Sequence, residues 1–234
     1  MPVSAASRPT GNVGMGHGSP PGQVFAGSLL ILLKPWLKGV VRPVARRLVG
    51  LGLTANQVTL LSLMGSLATS AAMASDPLHP ALFALLPAWQ VLRALLAALD
   101  GAMAVEFGQK SRIGGVLNEV GDVVSDVVLV APFAALSGFT PELIGLVVTM
   151  ALAVEGVGIA GEFMGSGRQL EGPFGKVDRA TAFGLLGLWV GLCPPDPVVA
   201  DNACLLALAL LLVTLSNRLD WVVAGVRRHA GRAR

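Results

Sequence analysis

Between Ala97 and Asp126 the chain reads AALDGAMAVEFGQKSRIGGVLNEVGDVVSD, which sets five acidic residues and an asparagine inside or beside apolar runs. An ionised carboxylate in such surroundings is costly unless it is paired, hydrated or bound to a metal. After Ile113 the residues Asn118, Glu119, Asp122 and Asp126 recur at spacings of one, three or four, so they form one polar stripe on an otherwise apolar helix. Asp100 closes the preceding apolar run. A hairpin of two helices, joined by the polar segment from Glu106 to Arg112, brings Asp100 near Asn118 and Asp122. Oxygen donors gathered in this way suit a hard divalent ion, Mg²⁺ or Mn²⁺, and such an ion suits phosphate substrates.

The elements that must hold this stripe are membrane helices. The 234 residues are 53% hydrophobic and only 13% charged, with a mean hydropathy of +0.70. That composition belongs to a polytopic all-α membrane bundle rather than a soluble domain. Six apolar segments are expected to span: 54–74, 80–104, 113–136, 141–165, 177–193 and 198–226. Each reaches or approaches the roughly 20 residues that cross the hydrocarbon layer. Residues 1–24, rich in Gly, Pro and Ser, read as a disordered tail with no signal peptide. Residues 25–51 alternate Leu29, Leu30, Leu33, Trp36 and Leu37 with Lys34, Lys38, Arg42, Arg46 and Arg47, the pattern of an amphipathic surface helix interrupted by Pro35 and Pro43. Residues 52–226 form the transmembrane domain and 227–234 a basic tail.

Lysines and arginines orient the bundle. Lys110, Arg112, Arg168, Lys176, Arg179 and the basic tail all fall on the side of the surface helix, whereas the loops SDPLHP, SGFTP and CPPDP carry none. The positive-inside rule makes that side, both termini and the Asp100 to Asp122 stripe cytoplasmic, in a bacterial inner membrane. Arg93 sits two turns deeper than Asp100 on the same helix face and needs a partner, for which Asp122, Asp126 and Glu155 are candidates. We read Arg93 and Glu155 as structural. Arg168, Lys176 and Arg179 gather before the fifth span, either to bind an acceptor phosphate or only through the positive-inside bias. Gly187 and Gly191 are a weak helix-packing signal. Cys193 and Cys204 are expected to pack rather than to pair. No nucleic-acid partner is expected.

The stripe resembles the motif of the integral-membrane CDP-alcohol phosphatidyltransferases, D-x2-D-G-x2-A-R-x8-G-x3-D-x3-D. Asp100, Gly101, Ala104, Gly114 and Asp122 match it in register, while Ala97, Val105 and Asn118 replace two aspartates and an arginine. The resemblance implies a divalent metal, Mg²⁺ or Mn²⁺, held by Asp100 and Asp122 with Asn118, and Glu119 and Asp126 as replacement carboxylates. It implies that Asp122 is the catalytic base, that Gly101, Ala104 and Gly114 line the nucleotide site, and that Arg168, Lys176 and Arg179 meet an acceptor or lipid phosphate. Asn56 and Thr59 match a segment that the family places near the cytidine diphosphate; capping of the first span is the rival reading. The implied activity is transfer of a phosphoalcohol, in particular phosphatidyl, from a CDP-alcohol such as CDP-diacylglycerol to an acceptor hydroxyl with release of CMP, in a chain that is often a homodimer. The losses at Ala97, Val105 and Asn118 motivate the alternative, a catalytically silent relative that binds lipid or protein.

Overall fold

The computed structural model describes residues 30–78, 80–164 and 172–232, with side chains from 39 to 228 outside the two gaps. The expected tail 1–24 and Arg168 lie outside the described residues. Among those described there is no strand, and the helices are α1 (Leu30–Gly50), α2 (Ala55–Ser75), α3 (Leu85–Glu106), α4 (Arg112–Val130), α5 (Pro141–Phe163), α6 (Lys176–Leu192) and α7 (Pro197–Arg232). A 3-10 turn at Pro80–Ala84 leads into α3 and another at Ala131–Ala135 follows α4, where Pro132 cannot continue the α-helical ladder.

The helices fall on the expected segments, with two differences. The amphipathic helix runs unbroken through Pro35 and Pro43. α7 also continues past Val226 into the basic segment. Among the described residues four stretches are long and apolar enough to cross a membrane: Ala55–Ser75, Pro80–Glu106, Pro141–Phe163 and Pro197–Arg228. The helix α4 is kept out of that group by the charges of the polar stripe, and α6, with 17 residues, is short as well as charged at its basic entry. Leu60, Leu61, Met64, Val91, Leu146, Leu206 and Leu212 are exposed on the outside of the bundle, an apolar surface of the kind a bilayer covers.

The end of the bundle away from the polar stripe is held by aromatic packing. Phe133 meets Phe83, Phe139 and Phe183 edge-on, with centroids 4.9, 5.4 and 5.8 Å apart. Thr140, at the start of α5, donates through its N–H (3.0 Å) and its hydroxyl (2.7 Å) to Asp201 of α7. Cys193 and Cys204 are free, the first exposed and the second buried. The two glycines of α6 are contact points: a Cβ on Gly187 would lie 2.8 Å from Phe83 O, and one on Gly191 would lie 2.6 Å from Ala84 N. Backbone sits on both sides, so neither contact can relax by a rotamer change. Gly187→Leu is expected to lower stability by about 1–3 kcal/mol, measurable as a fall in the thermal unfolding midpoint in detergent; an unchanged midpoint would show that α6 is not tightly seated.

Candidate active site

Antiparallel alternation brings the starts of α2, α4 and α6 and the ends of α3, α5 and α7 to one end of the bundle, beside α1. Local chemistry fixes each start. Thr54 caps α2 reciprocally with Gln57, its N–H donating to Gln57 Oε1 (2.8 Å) and its Oγ1 accepting from Gln57 N (3.3 Å). Ser111 caps α4 by accepting from Gly114 N at 3.0 Å. Gln109, in the α3–α4 turn, accepts from Ala55 N at 2.7 Å and donates to Leu53 O at 3.3 Å. This one amide fastens the hairpin turn to the start of α2. Arg42 of α1 reaches Glu106 at 3.0 Å.

The motif residues meet as their spacing requires. Thr59 donates its hydroxyl to Asp100 Oδ2 at 2.7 Å, and Asp100 is buried. Asp122 and Lys176 are both within electrostatic reach of Asp100. A Cβ on Gly114 would collide with Asn56 Oδ1, so α2 and α4 touch where the resemblance expects the nucleotide. Above Gly101 the space is open, with nothing within 4 Å, and Ala104 is half-buried. Ala97 and Val105, the departures on α3, are exposed and bring no donor inward. Asn118 and Glu119 are half-buried on α4, a turn before Asp122.

Behind the mouth runs a chain of alternating charges. Lys176 of α6 contacts Asp122 Oδ2. Arg93 of α3 reaches Asp122 Oδ1 at 3.2 Å and Asp126 Oδ1 at 2.6 Å, and donates to Asp122 O at 3.1 Å. Arg179 of α6 takes Asp126 Oδ2 at 3.2 Å and Glu155 Oε1 at 2.8 Å, and donates to Phe174 O at 3.4 Å. Arg218 of α7, fully buried, continues the chain 3.6 Å from Glu155 Oε2 and donates to Val154 O at 2.7 Å. Five helices are thereby tied by three carboxylates and four cations. The carboxylates engaging Arg93 are Asp122 and Asp126; Glu155 engages Arg179 and Arg218 instead. Arg179, grouped by sequence with the acceptor-binding residues, has its guanidinium engaged inside this chain. Arg218 was not singled out from sequence, although an arginine in one apolar run and a glutamate in the middle of another are the signal that could have paired them.

No three His, Cys, Asp or Glu side chains among the described residues come together as a metal cluster. The carboxylates of the motif are Asp100, whose Oδ2 accepts from Thr59, and Asp122, with the Asn118 amide one turn away on the helix that carries Asp122. Two carboxylates balance one divalent charge, and Mg²⁺ commonly takes one or two carboxylates, retained waters and substrate phosphate oxygens. The donor set therefore fits one divalent ion and falls short of two. Asp126 stands apart from it, with both oxygens held by arginines.

No family model matches the chain. Solved structures do. Phosphatidylinositol phosphate synthase of Mycobacterium tuberculosis with CDP-DAG bound superposes with a TM-score of 0.66 at 23% identity, covering 78% of this chain and 93% of that one. The same enzyme in complex with manganese and citrate gives 0.67 at 22% identity, covering 78% and 88%. The chain thus has the fold of the CDP-alcohol phosphatidyltransferases, an all-helical membrane fold. More specifically, the inner membrane protein YnbA of Escherichia coli K12 is 38% identical over 189 residues, 81% of this chain and 94% of that protein. The chain belongs to the family of YnbA.

Proposed function

We propose that the chain is a six-span membrane transferase that moves a phosphatidyl group from CDP-diacylglycerol to an acceptor hydroxyl. The observation that carries this reading is the placement of two motif carboxylates at one end of the bundle, Asp100 held by Thr59 and Asp122 in contact with Lys176. The shared fold with an enzyme solved with CDP-DAG supports the donor. The basic residues around the same end support a cytoplasmic site.

In this mechanism the acceptor oxygen bonds to the lipid-side phosphorus, the bond from that phosphorus to the oxygen of CMP breaks, and the hydroxyl proton passes to Asp122. Arg93, locked to Asp126, keeps the Asp122 carboxylate aimed at the mouth. Thr59 does the same for Asp100, and Asn56 beside Gly114 marks the nucleotide side. Lys176 meets a phosphate oxygen from the first turn of α6, whose free N–H groups favour the same anion. A single Mg²⁺ or Mn²⁺, held by Asp100, Asp122 and Asn118 when bound, would neutralise charge developing on the pyrophosphate.

The test is CMP release from CDP-diacylglycerol by membranes carrying the protein, with a panel of polyol and phosphorylated acceptors, with and without divalent metal. Metal-dependent, acceptor-dependent CMP is expected. No CMP with any acceptor, together with no stabilisation by Mn²⁺, would instead support the lipid- or protein-binding scaffold that Ala97 and Val105 motivate.

A further inference from the structure

The two cations on Asp122 differ in how firmly they are placed. Arg93 is buried, with its side chain 6% exposed, and it is shared with Asp126 at the shorter distance of 2.6 Å. It cannot leave Asp122 without leaving a second carboxylate inside the bundle. Lys176 has no second carboxylate contact among the described ion pairs, and its side chain is 35% exposed. It is the first residue of α6, so its four-carbon stem can swing while the helix stays where Arg179 anchors it. Asp122 itself is 28% exposed. Its Oδ1 faces Arg93 and its Oδ2 faces Lys176, so both oxygens are engaged. A divalent ion on the donor set of Asp100, Asp122 and Asn118 would have to approach an oxygen of Asp122 that already carries a cationic partner.

From this we infer that Lys176 is a built-in counter-ion that occupies Asp122 in the substrate-free protein and must be displaced before a divalent cation binds there. The inference rests on the transferase reading for the use of the metal but not for the competition itself. An ammonium in contact with Oδ2 repels a divalent ion brought to the same carboxylate, and the ion that binds must outweigh an ion pair already formed. Once displaced, Lys176 is free to meet a phosphate oxygen, so cation binding and phosphate binding favour each other. A site so built stays neutral and closed to stray metal until both arrive.

A water-soluble carbodiimide tests the contact without any turnover. It activates the Asp122 carboxyl, the Lys176 amine attacks, an amide forms, and the elements of water leave as the urea. The purified wild-type protein is expected to yield a Lys176–Asp122 cross-linked peptide by mass spectrometry, and saturating Mn²⁺ is expected to suppress it. In parallel, Mn²⁺ titration read by electron paramagnetic resonance should give about tenfold tighter binding in Lys176→Met, since a unit charge in contact with the site is removed. Lys176→Arg keeps the charge and should bind Mn²⁺ as weakly as wild type while forming no cross-link. Absence of the cross-link, a cross-link indifferent to Mn²⁺, or equal Mn²⁺ affinities in wild type and Lys176→Met would overturn the inference. If the competition is observed and CMP release is not, the transferase reading fails while Lys176 keeps this role.

Discussion

Asp122→Asn is expected to lower CMP release by roughly 10²–10⁴-fold, the usual worth of a positioned proton acceptor, without unfolding the protein. The exchange preserves shape and removes one negative charge at the mouth. Neither Asp122 nor Lys176 is fully buried there, at 28% and 35% side-chain exposure, so water can solvate the lysine that loses its partner. Arg93 keeps Asp126 at 2.6 Å, which holds the interior of the site in place. The variant should therefore unfold within a few degrees of wild type and lose turnover, a split that a structural role would not produce. Turnover within a few-fold of wild type would remove Asp122 as the base. Asp126→Asn is the control. Its carboxylate faces two buried arginines instead of the mouth, and its loss should show mainly in stability.

The positions that were legible in sequence are those whose partners lie on the same helix or across one tight turn. Asp100 and Asp122 follow from helical spacing and a short hairpin, Gly114 from the resemblance to the family motif, and the capping of α2 from the residues that open the first span. Arg93 was legible because two turns of helix set it about 10 Å below Asp100, level with the next carboxylates on α4. Contacts between helices distant in sequence were not legible. Helical periodicity says which face is polar but not which neighbour it meets, so by sequence Arg179 is grouped with an acceptor-phosphate or positive-inside role and Arg218 is not singled out. The same limit hid Gln109, whose amide joins segments 54 and 56 residues away. The span count depends on another weakness: α4 and α6 carry several of the site's own charges, which lower their hydropathy below that of an uninterrupted span.

The charge chain behind the mouth makes the opposite prediction from Asp122, a large loss of stability with no direct effect on the reacting atoms. Glu155→Met removes the carboxylate that Arg179 and Arg218 share, at 2.8 and 3.6 Å. Glu155 is 11% and Arg218 1% exposed, so water cannot replace it. Breaking a buried pair from one side costs about 3–5 kcal/mol, because the remaining charge stays in a poorly solvating interior. Replacing both members by apolar groups of similar volume avoids most of that cost. Glu155→Met alone is therefore expected to unfold well below wild type in detergent, and Glu155→Met with Arg218→Met to recover a large part of the loss. The interaction term from this double-mutant cycle should exceed 1 kcal/mol in size, roughly the middle of the range for residues in one network. Additive losses would mean that the two side chains do not act on each other. α5 and α7 would then be joined chiefly by apolar packing and the Thr140–Asp201 contact at the far end.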